Sequence, residues 1–383
     1  MNILYPENYK TFSSGSTSYW GSLFGSSEAL ALIEFAKTQQ QVVLYVAKDI
    51  THYVQIQRAL NFYNSSLKIL GFSNWEVLAF DHFSPHPDIV SSRLETLSQL
   101  ATLKAGIVIT TLESLSQRLC PTDYIDKYSF SLSAGETLEI EPFVNKLLKI
   151  GYRRVSTVME QGEFNIKGAL IDLYPMGAKS PFRIDLFDNE IDSIRTFKAS
   201  TQRSIDVINH INLLPAREFA SDSESISIFK KNYLSEFGNT DGFIYKEVSE
   251  GRFPGGIEFY LPLFFNKTNT LLDYLDTEPI IVYQKGFVET TQLHSVELLD
   301  RFEHCKLSLQ RLPLPINKVF LNVEELSKIL QDIKKIQTQT PKSNKKESIN
   351  FSSALLPPLK IQSQIKNPLT KLIKFLENFE GRV

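Results

Sequence analysis

Hydrophobic and polar positions follow three textures along the chain. Two short runs are apolar almost throughout, Val42-Val43-Leu44-Tyr45-Val46 and Gly106-Ile107-Val108-Ile109-Thr110. Continuous apolar strands set among helical patterns predict a parallel sheet covered on both faces. Between them Ile89, Leu94, Leu97, Leu100 and Leu103 recur at roughly helical spacing, with Asp88 placed to cap that helix. This α/β texture ends near Cys120-Pro121.

From about Tyr124 the chain changes to short alternating strands with close turns at Pro175-Met176-Gly177 and Asp188-Asn189-Glu190. That pattern predicts an antiparallel meander with one face packed and one exposed. Phe164 and Ile166 share one parity whereas Ile171 and Leu173 share the other, and a bulge at Gly168 would reconcile them. In Phe182-Arg183-Ile184-Asp185-Leu186-Phe187 the period of two sends Phe182, Ile184 and Leu186 to one face. Arg183, Asp185 and Phe187 go to the other, so an aromatic stands among charges.

Lys167 has the exposed-side parity of its own strand. If the two strands are neighbours, Lys167, Arg183 and Phe187 form a compact patch of cations and one ring. Arginine and aromatic residues are enriched at interface centres, so the patch reads as a recognition surface. The other reading is that Phe187 tucks under a loop and the charges pair with Asp185 or Glu163. The residues leave both open.

Mixed α/β texture returns from Ile211, with Pro279-Ile280-Ile281-Val282-Tyr283 as another buried strand and an apolar block from Gly255 to Phe265. The expected organisation is one α/β domain split into 1–124 and 211–336, with a small antiparallel α+β domain inserted at 125–210. The polar, lysine-rich QTQTPKSNKKESIN at 337–350 reads as a linker. Beyond it Leu369, Leu372, Ile373, Leu376 and Phe379 mark an amphipathic helix, so 351–383 reads as the truncated start of a further domain.

Charge changes this picture little, since 41 basic and 43 acidic residues give a net charge of −2. A basic contact would have to be a local patch. The two cysteines, Cys120 and Cys305, have no metal-ligand or redox spacing and suit a reducing cytoplasm. No apolar run approaches the length of about eighteen residues that a membrane helix needs, and no export signal opens the chain.

Candidate chemistry is thin. A phosphate loop needs Gly-Lys-Ser/Thr after a glycine-rich turn, and the nearest stretch, Ser13-Ser14-Gly15-Ser16-Thr17 with Gly21 and Gly25 after it, lacks it. His82, His86 and Asp88 are separated by Pro85 and Pro87, which break any helix that would align them, and no third ligand is clustered nearby. They read as a structured loop, with Arg93 expected to pair with a local carboxylate. There is no Gly-x-Ser-x-Gly elbow, and Cys120 has no histidine near it in sequence. No catalytic, cofactor or metal residue is expected. Two rivals to a binding module are a nucleic-acid motor with an unrecognised ATP site and a DNA-binding unit using Lys334, Lys335, Lys342, Lys345 and Lys346. Those lysines carry no interleaved aromatics, which suits a solvated linker better.

Several stretches, NWEVLAFDHFSPHPDIVSSRLETL, GYRRVSTVMEQGEFNIKGALIDLYPMG, PFRIDLFDNEIDSIRTF, TQRS, LLPAREF, PGGIEFYLPLFF and KFLENFEGRV, closely resemble the N-terminal part of the Mfd family of transcription-repair coupling factors. The resemblance covers essentially the whole chain. It implies a module similar to the excision-repair protein UvrB, with a degenerate P-loop-NTPase-like domain split in two and an inserted domain that binds UvrA. The family's UvrA-contacting basic residue falls on Lys167, a lysine where arginine is also found. Its arginine and phenylalanine of the following strand fall on Arg183 and Phe187. Between Phe80 and Leu100 the chain is too short for the long damage-probing hairpin of UvrB, so the module is expected to recruit without inspecting the lesion. The resemblance places RNA polymerase and DNA contacts, and the ATP- and Mg-dependent translocase motor, in domains absent from these residues.

Overall fold

The computed structural model describes residues 15–63, 66–308, 311–346, 348–355, 359 and 367–378. Every residue of the two apolar runs is buried, and they are central strands of one parallel sheet. In chain order the strands are β1 (Thr17–Gly21), β2 (Val42–Ala47), β3 (Ile69–Phe72), β4 (Gly106–Thr111) and β5 (Phe130–Ser133). Then follow β6 (Arg153–Arg154), β7 (Glu163–Lys167), β8 (Leu170–Tyr174), β9 (Phe182–Phe187), β10 (Glu190–Lys198) and β11 (Arg203–Ile208). Last come β12 (His210–Leu213), β13 (Ile280–Gln284), β14 (Lys335–Thr338) and β15 (Ser348–Asn350).

The seven-stranded sheet has the order β15-β1-β14-β13-β2-β4-β3 and all its pairs are parallel. One face is covered by the helices Ser27–Gln39 and Ile50–Tyr63 through Leu32, Phe35, Ile56 and Leu60. The other carries Leu94, Leu97 and Leu100 of the helix Pro87–Leu100. The six-stranded sheet β11-β10-β9-β8-β7-β6 is antiparallel except where β6 meets β7, and its inner face continues the second core through Phe164, Ile171, Ile184 and Ile194. A third core, rich in rings, gathers Phe219, Phe229, Phe259 and Phe264 around the 3-10 helix Ile257–Phe264, which the apolar block forms. The fold is α/β with an antiparallel unit, as the pattern predicts.

Four local expectations are corrected. Gly168 sits in a two-residue turn, not a bulge: Lys167 pairs with Leu170, and a hairpin of that length exchanges the parity of its strands. Its φ of +63° is the left-handed conformation that glycine adopts without penalty. The cap of Pro87–Leu100 is His86, whose Nδ1 accepts from the Asp88 amide at 3.3 Å, while Asp88 lies in the first turn. Arg93 finds its carboxylate far along the chain, at Glu218. The segment expected to be a solvated linker at 337–350 is built into the fold. It ends β14 and supplies β15, Asn350 bonds the backbone of Ser343 in both directions, and Phe351 is buried against Trp20. Lys335 likewise belongs to β14, its amine donating to the carbonyls of Leu330 and Gln331. The amphipathic helix is Thr370–Glu377, and Phe379 lies outside the described residues.

Candidate protein-docking face

The outer face of the antiparallel sheet follows from its register. One row of residues across the strands is Lys167, Leu170, Asp185 and Ser193. The next is Asn165, Asp172, Arg183, Arg195 and Val207. Phe187 continues the first side of β9 to the tip of the β9–β10 hairpin, opposite Glu190. Lys167, Arg183 and Phe187 therefore share one face.

They are less compact than expected, because β7 and β9 are not neighbours. Strand β8 lies between them, which separates Lys167 from β9 by roughly 10 Å, two strand spacings. Their commitments also differ. Phe187 is 75% exposed and no loop covers it. Lys167 is exposed and has no ion-pair partner among the described residues. Arg183 is pinned: its Nε and Nη2 donate to the two carboxylate oxygens of Asp172 at 2.7 and 2.9 Å, and its Nη1 donates to the Gln202 carbonyl. Its guanidinium also lies 4.9 Å from the ring of Phe197. The bonds it donates to Asp172 raise the Arg183 pKa further. Of the five N–H donors of an arginine, these three bonds leave two for a partner.

Sequence reasoning missed the residues that organise this face. Asp172 was one alternating polar residue among many, and only the register puts it opposite Arg183. Arg195 closes on Asp185 at 2.8 Å, so the pairing open to Asp185 in sequence is satisfied from β10. Beside Arg195, the edge strand β11 shows Val207, 68% exposed. The alternation of β11 gave no such signal, since Ile205 and Val207 share one parity and only the register sets Val207 beside Arg195.

A second locus is the turn from β1 into the helix Ser27–Gln39. The phosphate-loop pattern Gly-x4-Gly-Lys-Ser/Thr, laid from Gly21, falls on Ser26, Ser27 and Glu28, so the counterpart lies after β1 and not at Ser13–Thr17, whose first two residues are outside the described residues. Its amides are occupied by the chain itself. Ser22 donates to the Pro341 carbonyl, Leu23 to that of Gln339, and Phe24 to the Ser353 hydroxyl at 3.1 Å. Glu28 is buried and accepts from the Tyr45 hydroxyl at 2.9 Å, the Thr338 hydroxyl and Gln284. A carboxylate stands where a phosphate loop needs a hydroxyl for its cation, so the residues do not fit a nucleotide.

Of the remaining candidates, His86 serves as the cap and His82 donates its backbone amide to the Asp81 carboxylate. Burial pushes the Cys120 thiol up to about 12, and it contacts the Tyr274 hydroxyl. A thiol held protonated at neutral pH is not a nucleophile. Among the described residues no helix is long and apolar enough to cross a membrane.

Comparison with known proteins places this geometry. The family described as UvrB interaction domain matches residues 130–219, which hold the whole antiparallel sheet. The chain is similar to the transcription-repair-coupling factor of Haemophilus influenzae, 38% identical over 95% of this chain and 32% of that protein. It is 34% identical to that of Escherichia coli over 99% of this chain and 33% of the relative. Against the factor of Rickettsia bellii it is 31% identical over 75% of the chain. The chain spans about a third of the length of its first two relatives. An α/β sheet, an antiparallel unit that matches the UvrB interaction domain, and these relatives together make nearly the whole chain similar to about a third of the length of transcription-repair-coupling factors.

Proposed function

We propose that this chain is a non-catalytic recruitment module that binds UvrA through the outer face of its antiparallel sheet, bringing excision repair to stalled RNA polymerase. The observation that carries the reading is Phe187, an uncovered ring beside charged residues on a sheet within the matched interaction domain. A large exposed apolar side chain rimmed by charge is the composition of an interface centre. Lys167 supplies an uncommitted cation, and Arg183, held rigid by Asp172, adds oriented donors at low entropic cost.

The non-catalytic part of the reading rests on the β1 turn, where Glu28 and Ser353 stand in place of phosphate-binding groups. In this reading ATP, magnesium, DNA and RNA polymerase are handled by other parts of the protein, in the cytoplasm. Calorimetric titration with UvrA tests the docking face. Replacing Arg183 and Phe187 by alanine should cost on the order of 2 kcal/mol or more each. A double variant that binds UvrA as well as the parent overturns the assignment. Measurable ATP affinity in the isolated chain would favour a motor instead.

A further inference from the structure

Between the antiparallel sheet and the α/β part lies a cleft of about 400 Å³ that the docking reading does not use. Its walls are mixed: Pro85, Pro87, Val90, Met176 and Ala216 give apolar surface, and Ser84, Gln161 and charged side chains give the rest. Arg217 enters it. The guanidinium sits 4.8 Å from the ring of Phe253 and 5.6 Å from that of Phe219, and it has no hydrogen bond or ion pair among the described residues. Burial lowers its pKa and outweighs the opposing pull of the Glu258 carboxylate, which makes no hydrogen bond or ion pair with it.

The surroundings hold Arg217 there. Its stem lies against Gly151, where a Cβ would meet the Arg217 Cγ at 2.9 Å, and Gly151 has a φ of +90°. Its carbonyl accepts from the Tyr124 hydroxyl, and the next residue, Glu218, is locked by Arg93 and Trp75. The other charges of the cleft are spent or opposed. Arg153 is held by Glu163 at 2.7 Å and Glu160 at 3.7 Å. Glu258, which takes a bond from the Ser84 hydroxyl, has its carboxyl pushed up by burial.

From these groups we infer that the cleft is a binding site for a single carboxylate side chain of a protein segment, gripped by the free edge of the Arg217 guanidinium. A stacked, planar guanidinium presents parallel N–H groups that match a carboxylate in two-pronged fashion. A polyanionic backbone fits poorly, because one uncommitted cation faces Glu160 and Glu258 and not a field of lysines. The site shares none of Lys167, Arg183 and Phe187, so it stands or falls apart from the UvrA reading.

The test is a titration of the intact chain with acetyl-Leu-Glu-Leu-amide, its glutamine counterpart and inorganic phosphate, read at the Arg217 Nε–Hε NMR signal. The glutamate peptide should shift that signal saturably, with the glutamine peptide and phosphate weaker by about tenfold or more. Arg217→Lys, which keeps the charge and loses the fork, should weaken glutamate binding by about tenfold, its fold checked by thermal melting. The assignment is overturned by an unmoved signal, by equal binding of the glutamine peptide or phosphate, or by a folded Arg217→Lys variant that binds like the parent. If that variant does not fold, the comparison of the two peptides on the parent chain decides alone.

Discussion

Arg93 and Arg183 each hold a carboxylate through two guanidinium nitrogens, yet their surroundings are opposite. The side chains of Arg93 and Glu218 are 0% and 2% exposed, whereas Arg183 is 19% exposed above Asp172. Arg93 also donates to the Ser73 carbonyl and to Gln117, lies 4.2 Å from the Phe72 ring, and shares Glu218 with the Trp75 indole. It ties the helix Pro87–Leu100 to the segment leaving the antiparallel unit. Arg183 ties β9 to the neighbouring β8 and to the β10–β11 turn at Gln202, and keeps two donors unspent. The same ion pair is a strut when four donors are spent in a dry core, and a prepared surface when fewer are spent and the group is partly exposed.

Breaking the strut should have the largest effect. Glu218→Gln leaves a buried guanidinium uncompensated, and urea unfolding should show a loss of about 3 to 5 kcal/mol. A loss below about 1 kcal/mol would mean that the core pair is no more consequential than a surface one. Phe187→Ala sharpens the contrast from the other side. It should cost on the order of 2 kcal/mol in UvrA binding while moving stability by no more than about 0.5 kcal/mol, because the ring is already in water. Asp172→Asn falls between, with about 1 to 2 kcal/mol lost in unfolding and weaker UvrA binding as Arg183 loses its fixed pose. Unchanged UvrA affinity in that variant would separate Arg183 from the docking face.

The smallest effect concerns pH. Burial lowers the pKa of His52, which neighbours Glu28 at 3.9 Å, and that of His294. A histidine whose folded pKa lies below its unfolded value of about 6.5 favours the folded state above that pH. Stability contributed by these rings is therefore present above about pH 6.5 and declines as pH falls below it. Replacing both by glutamine should flatten that slope in melts taken across pH 5 to 7, whereas Lys167 and Phe187 variants should leave it in place.

The proposed docking face was legible because its anomaly is local. The period of two in Phe182–Phe187 sets which side each residue takes, and the β9 register keeps Phe187 beside charges as that period requires. The partners were not legible. Nothing near Arg183 in sequence singles out Asp172, and the presence of β8 between β7 and β9 is a matter of pairing order. The linker reading failed for a related reason, since a polar lysine-rich composition describes side chains, while β15 is fixed by backbone bonds to β1. The cap failed because a histidine nitrogen can accept an amide as an aspartate does.

The sequence by itself determined the α/β class, the buried parallel strands, the antiparallel insert and the face that Phe187 takes, because burial patterns and strand parity act over a few residues. Only the tertiary structure decided that Arg93 meets Glu218, that Ser353 fills the β1 turn, and that Arg217 enters the cleft without an acceptor. Those outcomes depend on which distant side chains share a dehydrated space, and desolvation there sets whether a charge becomes a strut, a surface or an open site.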